Sequence, residues 1–134
     1  SYSDRYETEP TYDDVACSVR DALLERAAAA EEAGVPRASI AIDPGLGFGK
    51  SVAQNWQLLS ASGALVATGL PVLVGASRKS FIGAATGTAA PADRDEASVA
   101  AAAIAVAGGV QLLRVHDVAS HVGMLAAMTP ASVT

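Results

Sequence analysis

The chain has 134 residues, of which 51% are hydrophobic and 17% charged, and its net charge is −5. This length suits one domain with a core of its own. The negative charge, without any basic face in the pattern, excludes a protein that binds a nucleic-acid backbone through charge, and the single Cys17 excludes an internal disulfide.

No apolar run is long and helix-like enough to span a membrane, and no secretory leader is evident, so we expect a cytoplasmic protein. The sequence lacks a starting methionine, and its polar first residues, 1–11, predict a loop. We therefore expect the chain to be a piece of a longer protein.

A helix is predicted from Tyr12 onward, and Gly34 and Pro36 are the signals that end it. Its largely apolar stripe recurs every three or four residues, at Val15, Val19, Ala22, Leu23, Arg26, Ala30 and Ala33. Strand and helix then alternate. The predicted strands are residues 39–43, 71–75 and 110–115. The predicted helical segments after them are residues 52–67, a turn from 81, residues 93–107 and residues 118–128.

Two helix starts carry capping signals. Asp93 and Glu96 have the spacing of a capping pair, and Asp117 stands where it can cap the last helix. These assignments give one helix followed by about three βα units.

Strict βα alternation predicts an α/β fold with a parallel sheet and right-handed crossovers. A closed (βα)8 barrel needs eight strands and roughly 250 residues, so residues 12–134 would supply about three-eighths of one. The chain alone could not close such a barrel. Its open strand edges favour self-association, for example as a homodimer.

A glycine-rich loop, Asp43-Pro-Gly-Leu-Gly-Phe-Gly-Lys50, follows the first predicted strand. It does not match a Walker A loop, because Gly45 and Gly49 enclose three residues instead of four, and it lacks the third glycine of the dinucleotide fingerprint. The Asp43 carboxylate could accept two parallel hydrogen bonds from an amidine-like edge such as a 2-amino-4-oxopyrimidine. In the alternative interpretation, the loop is a plain βα turn and Asp43 caps the next helix.

The second strand is followed by Ser77-Arg78-Lys79-Ser80. Lysine can donate to a ring nitrogen or carbonyl, and the flat guanidinium of arginine can stack on an aromatic ring or bind a carboxylate. A solvated basic turn is the alternative.

Arg114 and His116 alternate along the third strand and so point to the same side. Two donors beside a helix N-terminus suit an anion, and the loops after the last two barrel strands commonly hold phosphate. The alternative is a core histidine that is hydrogen-bonded by Asp117. His121, within the last helix, is predicted to lie on the solvated surface.

Taken together, the three motifs resemble the dihydropteroate synthase family of pterin-binding enzymes. The matching residues are Asp43 to Lys50, Asn55, Gly75 to Ser80, and Arg114 to Val118. Their order and intervals agree, and the resemblance extends over essentially the whole chain. It implies that residues 1–134 form a single domain that is the C-terminal portion of a (βα)8 TIM barrel.

The resemblance implies a transferase of folate biosynthesis. Such an enzyme condenses 6-hydroxymethyl-7,8-dihydropterin diphosphate with p-aminobenzoate to 7,8-dihydropteroate and releases diphosphate. The reaction is a displacement at the exocyclic methylene with strong carbocation character, in which cationic donors and Mg²⁺ stabilise the departing diphosphate. Sulfonamides act on the p-aminobenzoate side.

The resemblance also assigns roles residue by residue. The pterin would be bound by Asp43, Asn55 and Lys79, and the diphosphate by Arg114 and His116. The catalytic residues would be Lys79, Arg114 and His116. The p-aminobenzoate side would be lined by Phe48, Ser77, Arg78 and Ser80. No metal ligand is expected within the chain, because the family's Mg²⁺ ligand belongs to the strands before the point that Ser1 matches, and we expect the isolated chain to be inactive.

Two other functions stay open at this point. One is a different pterin-binding barrel, such as a methyltetrahydrofolate methyltransferase, which would not need the cations at 78, 79 and 114 around an aminobenzoate and a diphosphate. The other is an inactive paralogue or scaffold that folds only with a partner. Competitive binding of a sulfonamide separates the synthase from the methyltransferase.

Overall fold

The computed structural model describes residues 14–129. Helix α1 spans Val15–Glu32, and Asp14 caps it by accepting the Cys17 N–H at 3.1 Å. The predicted helix start at Tyr12 and the predicted loop 1–11 lie outside the described residues. Helix α1 ends where the sequence predicts, because Gly34 adopts a left-handed conformation with φ +100°.

The sheet is small, open and parallel. Strand β1 (Leu73–Val74) pairs with strand β2 (Leu112–Leu113), with Leu73 opposite Leu112 and Val74 opposite Leu113. Ile42 extends the sheet on the other side of β1 through a parallel bridge to Val72. The prediction of a parallel sheet from three successive chain segments is confirmed.

The predicted strand at residues 39–43 is wrong in extent. A 3₁₀ turn at Arg37–Ser39 occupies its beginning, and the turn is closed by the Ile40 N–H donating to the Arg37 carbonyl at 3.1 Å. Pro36 at the N-cap favours this turn because its φ is already fixed. Only Ile42 then reaches the ladder, where its N–H donates to the Pro71 carbonyl at 2.8 Å.

The predicted helix at residues 52–67 is two helices, α2 (Val52–Ser60) and α3 (Ser62–Val66). Helix α2 begins with a capping box between Ser51 and Gln54. The break falls at Ala61, and next to it the Ser62 hydroxyl donates to the Leu59 carbonyl at 2.5 Å. A serine hydroxyl that bonds to a carbonyl of the preceding turn slightly destabilises a helix and often bends it.

Helix α4 (Ser80–Thr86) confirms the predicted helical turn and ends at Gly87, with φ +70°. Helix α5 spans Asp95–Ala107, and the predicted capping pair of Asp93 and Glu96 is wrong. A 3₁₀ turn at Pro91–Arg94 comes first, so that Asp93 lies ahead of the helix and Arg94 takes the N-cap position without a side-chain cap. Helix α6 spans Val118–Met128, and Asp117 caps it as predicted by accepting the Ser120 N–H at 3.2 Å.

The core lies between the helices and the sheet. Phe81 is 1% exposed and meets Trp56 edge to face, with ring centroids 5.1 Å apart and planes at 79°. Other large side chains that are fully buried are Leu46, Leu58, Leu59, Leu65, Leu70, Ile82, Val72 and Val74. Leucine, isoleucine and valine supply these large side chains, and alanines such as Ala101, Ala102 and Ala105 of α5 are buried as well. Between residues 14 and 129, no helix is both long and apolar enough to cross a membrane.

Candidate active site

The three polar motifs meet at one edge of the sheet. Asp43 follows the Ile42 bridge, Lys79 lies in the loop after β1, and Arg114 comes directly after β2. Because the three chain segments run parallel, their carboxyl ends share an edge. All three side chains line one cavity of about 410 Å³, which α1 covers on one side.

The glycine loop is held in shape from beneath by Asn55, which is 2% exposed. Asn55 Oδ1 accepts the Gly47 N–H at 2.7 Å, and Nδ2 donates to the Ser51 carbonyl at 2.9 Å. At the start of the loop, Asp43 Oδ1 accepts the Gly45 N–H at 2.8 Å. Asn55 thus fixes the wall of the cavity, and Asp43 forms part of its lining.

Lys50 stabilises the same loop through hydrogen bonds to its backbone. The sequence predicted Lys50 only as the last residue of the motif. Its Nζ donates to the Gly45 carbonyl at 2.8 Å and to the Phe48 carbonyl at 2.9 Å. Burial lowers the pKa of Lys50, the charge of Lys79 lowers it further, and Asp43 opposes both effects.

Lys79 crosses the floor of the cavity. Its Nζ donates to the Leu46 carbonyl at 2.5 Å and lies 4.9 Å from the ring centroid of Phe48. Burial lowers the pKa of Lys79, Asp43 raises it, and Arg114 lowers it. A Cβ at Gly47 would lie 3.1 Å from Lys79 Cδ, and the left-handed φ of +83° would strain any other residue there.

A second cavity of about 280 Å³ adjoins Arg114 and His116, with Gly75 and Ser77 in its wall. Ser77 Oγ lies 2.7 Å from His116 Nδ1 and accepts the His116 backbone N–H at 3.2 Å. A Cβ at Gly75 would come within 3.3 Å of Arg114 Nε, so the glycine lets the guanidinium lie close to β1. The pocket offers one permanent cation and one imidazole to an anion.

Asp117 does not bond to His116, contrary to the alternative considered from the sequence. Its carboxylate accepts the N–H and the hydroxyl of Ser120, and these bonds lower its pKa. His121 is also not on the solvated surface as predicted. It is 3% exposed, with Nδ1 2.7 Å from the Asp117 carbonyl oxygen. The prediction for His121 did not take account of which face of α6 packs inward, and that face is set by tertiary contacts.

Arg78 is held by α5 and does not project into the open cavity. Its Nε and Nη2 donate to Asp95 Oδ1 and Oδ2 at 2.7 and 3.0 Å, and its backbone N–H donates to Ser98 Oγ at 2.9 Å. Arg78 has φ +60°, a left-handed conformation that is costly for a side chain of this size. The hydrogen bond from Arg78 lowers the pKa of Asp95.

Arg94 is a residue that sequence reasoning missed. Its guanidinium donates to the carbonyls of Arg78, Thr88 and Ala89 at 2.9, 2.9 and 2.7 Å. A Cβ at Gly83 would lie 2.5 Å from Arg94 Nε, so the glycine makes room for this guanidinium. The sequence does not predict this contact, because Gly83 and Arg94 belong to different elements that meet only in the folded chain.

Ser80 is the exposed first residue of α4, beside the loop that carries Lys79. Within residues 14–129, no three histidine, cysteine, aspartate or glutamate side chains are grouped so that they could hold a metal ion.

Fold and site together define an α/β protein with a parallel sheet that joins a carboxylate, a half-buried lysine and an anion pocket at the strands' carboxyl ends. A family model described as pterin binding enzyme matches residues 2–116. The chain belongs to the pterin-binding enzyme family.

Named relatives agree with this membership. Dihydropteroate synthase of Mycobacterium leprae is 46% identical over 121 residues, covering 87% of this chain and 43% of that protein. The structure of dihydropteroate synthase from Xanthomonas albilineans in complex with 7,8-dihydropteroate gives a TM-score of 0.87 at 49% identity, covering 90% of this chain and 46% of that one. The structure of dihydropteroate synthase from Thermus thermophilus in complex with 4-aminobenzoate gives a TM-score of 0.82 at 47% identity. That match covers 87% of this chain and 47% of the other one. The chain spans less than half the length of these relatives.

Proposed function

We propose that this chain forms the pterin- and diphosphate-binding part of a dihydropteroate synthase. The observation that carries the proposal is that Asp43, Lys79 and Arg114 line one cavity, with His116 in the adjoining pocket. The reaction joins 6-hydroxymethyl-7,8-dihydropterin diphosphate to p-aminobenzoate and releases diphosphate. The relatives solved with 7,8-dihydropteroate and with 4-aminobenzoate support this substrate class.

The pterin would bind against Asp43 and Lys79. Only one oxygen of Asp43 is occupied by the Gly45 N–H, and a carboxylate has acceptor capacity for a planar amino-pyrimidine edge as well. Lys79 already donates to a carbonyl in the floor, and its ammonium could donate to the ring in the same way. Asn55 contributes by fixing the glycine loop.

The diphosphate would bind to Arg114 and His116. As the bond from the exocyclic methylene to the diphosphate oxygen breaks, negative charge grows on the leaving group. A guanidinium beside that oxygen stabilises this growing charge, and so the transition state, more than the ground state. The amine nitrogen of p-aminobenzoate then forms the new bond to the methylene carbon, and the amine loses a proton.

The p-aminobenzoate side would begin at Phe48, whose ring is 50% exposed at the mouth of the cavity. Arg78 could contact the ring or its carboxylate only by exchanging its ion pair with Asp95. Ser80 lies at the surface next to this loop and can contribute a hydroxyl. Sulfonamides would occupy the same side.

The architecture proposed for the whole protein is a (βα)8 barrel, to which this chain contributes C-terminal βα units. The two outer edges of the small sheet support this, since the described residues provide no further strand for either edge. We also propose a cytoplasmic protein, self-association through these edges, and a Mg²⁺ requirement in the whole enzyme. By itself the 134-residue chain is expected to turn over little or no substrate, and a rate near that of an intact enzyme would contradict this.

Sulfonamide competition tests the function. Labelled p-aminobenzoate is titrated into the chain in the presence of pyrophosphate and a pterin, and a sulfonamide is then added. The proposal expects displacement of the label at a sulfonamide concentration comparable to that of p-aminobenzoate. Binding of methyltetrahydrofolate without any sulfonamide competition would instead support the methyltransferase.

A further inference from the structure

We infer that Ser77 is a positioning residue that holds His116 in the tautomer with its proton on Nε2. In this form the neutral imidazole offers an N–H donor to an anion beside Arg114. The inference deepens the proposed function, on which its anion-binding consequence rests. The family resemblance places Ser77 on the p-aminobenzoate side, and the contact with His116 adds a second role to that expectation.

The contact between the two residues is a tertiary one. Ser77 and His116 are 39 positions apart and lie just beyond the carboxyl ends of the neighbouring strands β1 and β2. Ser77 is 8% exposed, and its Oγ lies 2.7 Å from His116 Nδ1. The register of β1 with β2 therefore sets the distance between them.

The hydrogen atoms around Ser77 Oγ decide the tautomer. A backbone N–H can only donate, so the His116 N–H at 3.2 Å uses one acceptor position of Oγ. Within the described residues, His116 Nδ1 is the acceptor that lies within bonding distance of the hydroxyl proton. The Ser77 O–H therefore donates to Nδ1, and a neutral ring that accepts at Nδ1 carries its proton on Nε2.

The opposite tautomer leaves the site with a mismatch. With a proton on Nδ1, Ser77 Oγ would accept twice, and the proton of a nearly buried hydroxyl would have no acceptor among the described residues. Nε2 would also present a lone pair to the pocket that His116 lines with Arg114, and a lone pair repels an anion. Ser77 thus makes His116 a donor without requiring it to be charged.

The test begins with the unmodified chain. It contains two histidines, so nitrogen-15 labelling of histidine gives two sets of imidazole signals, and His116→Gln assigns them by removing one set. At alkaline pH, where imidazole is neutral, the inference expects His116 to show a protonated Nε2 and an Nδ1 shifted by an accepted hydrogen bond. A protonated Nδ1 in the unmodified chain would overturn it.

Two variants then test the role of Ser77. Ser77→Ala is expected to remove the hydrogen-bond shift at Nδ1 and to weaken inorganic pyrophosphate binding roughly tenfold, since a hydrogen bond to a charged ligand is at stake. Ser77→Thr keeps the hydroxyl and is expected to restore both readouts. An Nδ1 signal unchanged in Ser77→Ala would refute the inference. If the tautomer is as inferred but the unmodified chain binds no pyrophosphate, the proposed diphosphate site is wrong.

Discussion

Arg78 and Asp95 form an ion pair through two hydrogen bonds, from Nε to Oδ1 at 2.7 Å and from Nη2 to Oδ2 at 3.0 Å. The pair joins the loop after β1 to the first residue of α5. It coincides with a left-handed backbone at Arg78, whose carbonyl is held in turn by Arg94. The start of α5 thereby fixes the loop that carries Ser77 and Lys79.

The ion pair predicts a pH dependence of stability. The hydrogen bond from Arg78 lowers the pKa of Asp95 below its usual 3.8. At pH values between the pKa of Asp95 in the folded chain and 3.8, the unfolded chain therefore binds more protons than the folded one. The stabilisation by the ion pair is fully present above pH 3.8, and it is lost as the pH falls through the pKa that Asp95 has in the folded chain. Asp95→Asn should lower the free energy of unfolding near neutral pH, and its difference from the unmodified chain should shrink on acidification.

Urea unfolding across this pH range measures that difference. Asp93→Asn is the matched control, because Asp93 is exposed and lies outside the ion pair. A gap between Asp95→Asn and the unmodified chain that stays constant down to the lowest pH would contradict the role given to the pair.

The electrostatics of the cavity predict a change in the pKa of Lys79. The Asp43 carboxylate raises this pKa against the larger effect of burial. Asp43→Asn should therefore lower the pKa of Lys79 further below its usual 10.5, because the neutral amide no longer favours the ammonium. An NMR titration of the lysine ε-methylene group measures it. An unchanged or higher pKa would mean that the two groups do not share the cavity.

Gly47 and Gly69 provide a matched pair of substitutions. Their φ values, +83° and +81°, are nearly the same. A Cβ added at Gly47 would lie against the Lys79 side chain, whereas a Cβ added at Gly69 would have no atom within 4 Å. Both alanine variants should lose about 1–2 kcal/mol of stability from the left-handed backbone. Only Gly47→Ala should also displace Lys79 and weaken pterin binding. Equal pterin affinity of the two variants, measured by calorimetry, would contradict the contact.

The Phe81–Trp56 contact predicts a large loss of stability. Phe81→Ala should lower the free energy of unfolding by about 3–5 kcal/mol, since it removes a buried ring and leaves a cavity. Trp56 is the chain's single tryptophan, so its fluorescence reports the change directly. Phe48→Ala is the control, because that ring is half exposed and its loss should cost under about 1 kcal/mol. Similar losses in the two variants would contradict the core assignment.

What the sequence predicted correctly depends on local signals. The parallel order follows from the alternation of apolar runs with helices, and the Asp117 cap and the end of α1 at Gly34 follow from residues within one turn. The errors arise where tertiary contacts decide. Asp93 does not cap α5, because a 3₁₀ turn precedes the helix. At the end of that turn, the Arg94 guanidinium donates to the carbonyls of Arg78, Thr88 and Ala89.

The candidate site shows the same division. The motif positions of Asp43, Lys79 and Arg114 predicted which side chains would meet, because parallel strands end at one edge. The partners of Ser77 and Arg78 were not predictable, since His116 and Asp95 reach them through strand register and helix docking. The burial of His121 depends on how α6 packs on α5.

The proposed pterin site is tested most directly by calorimetric titration of the chain with 6-hydroxymethyl-7,8-dihydropterin diphosphate. We expect saturable binding that Asp43→Asn weakens by roughly tenfold or more, since a charge-assisted pair of hydrogen bonds is lost. Glu25→Gln, at an exposed position of α1, should bind like the unmodified chain. Absence of binding, or equal affinity in Asp43→Asn and Glu25→Gln, would contradict the claim that this cavity is a pterin site.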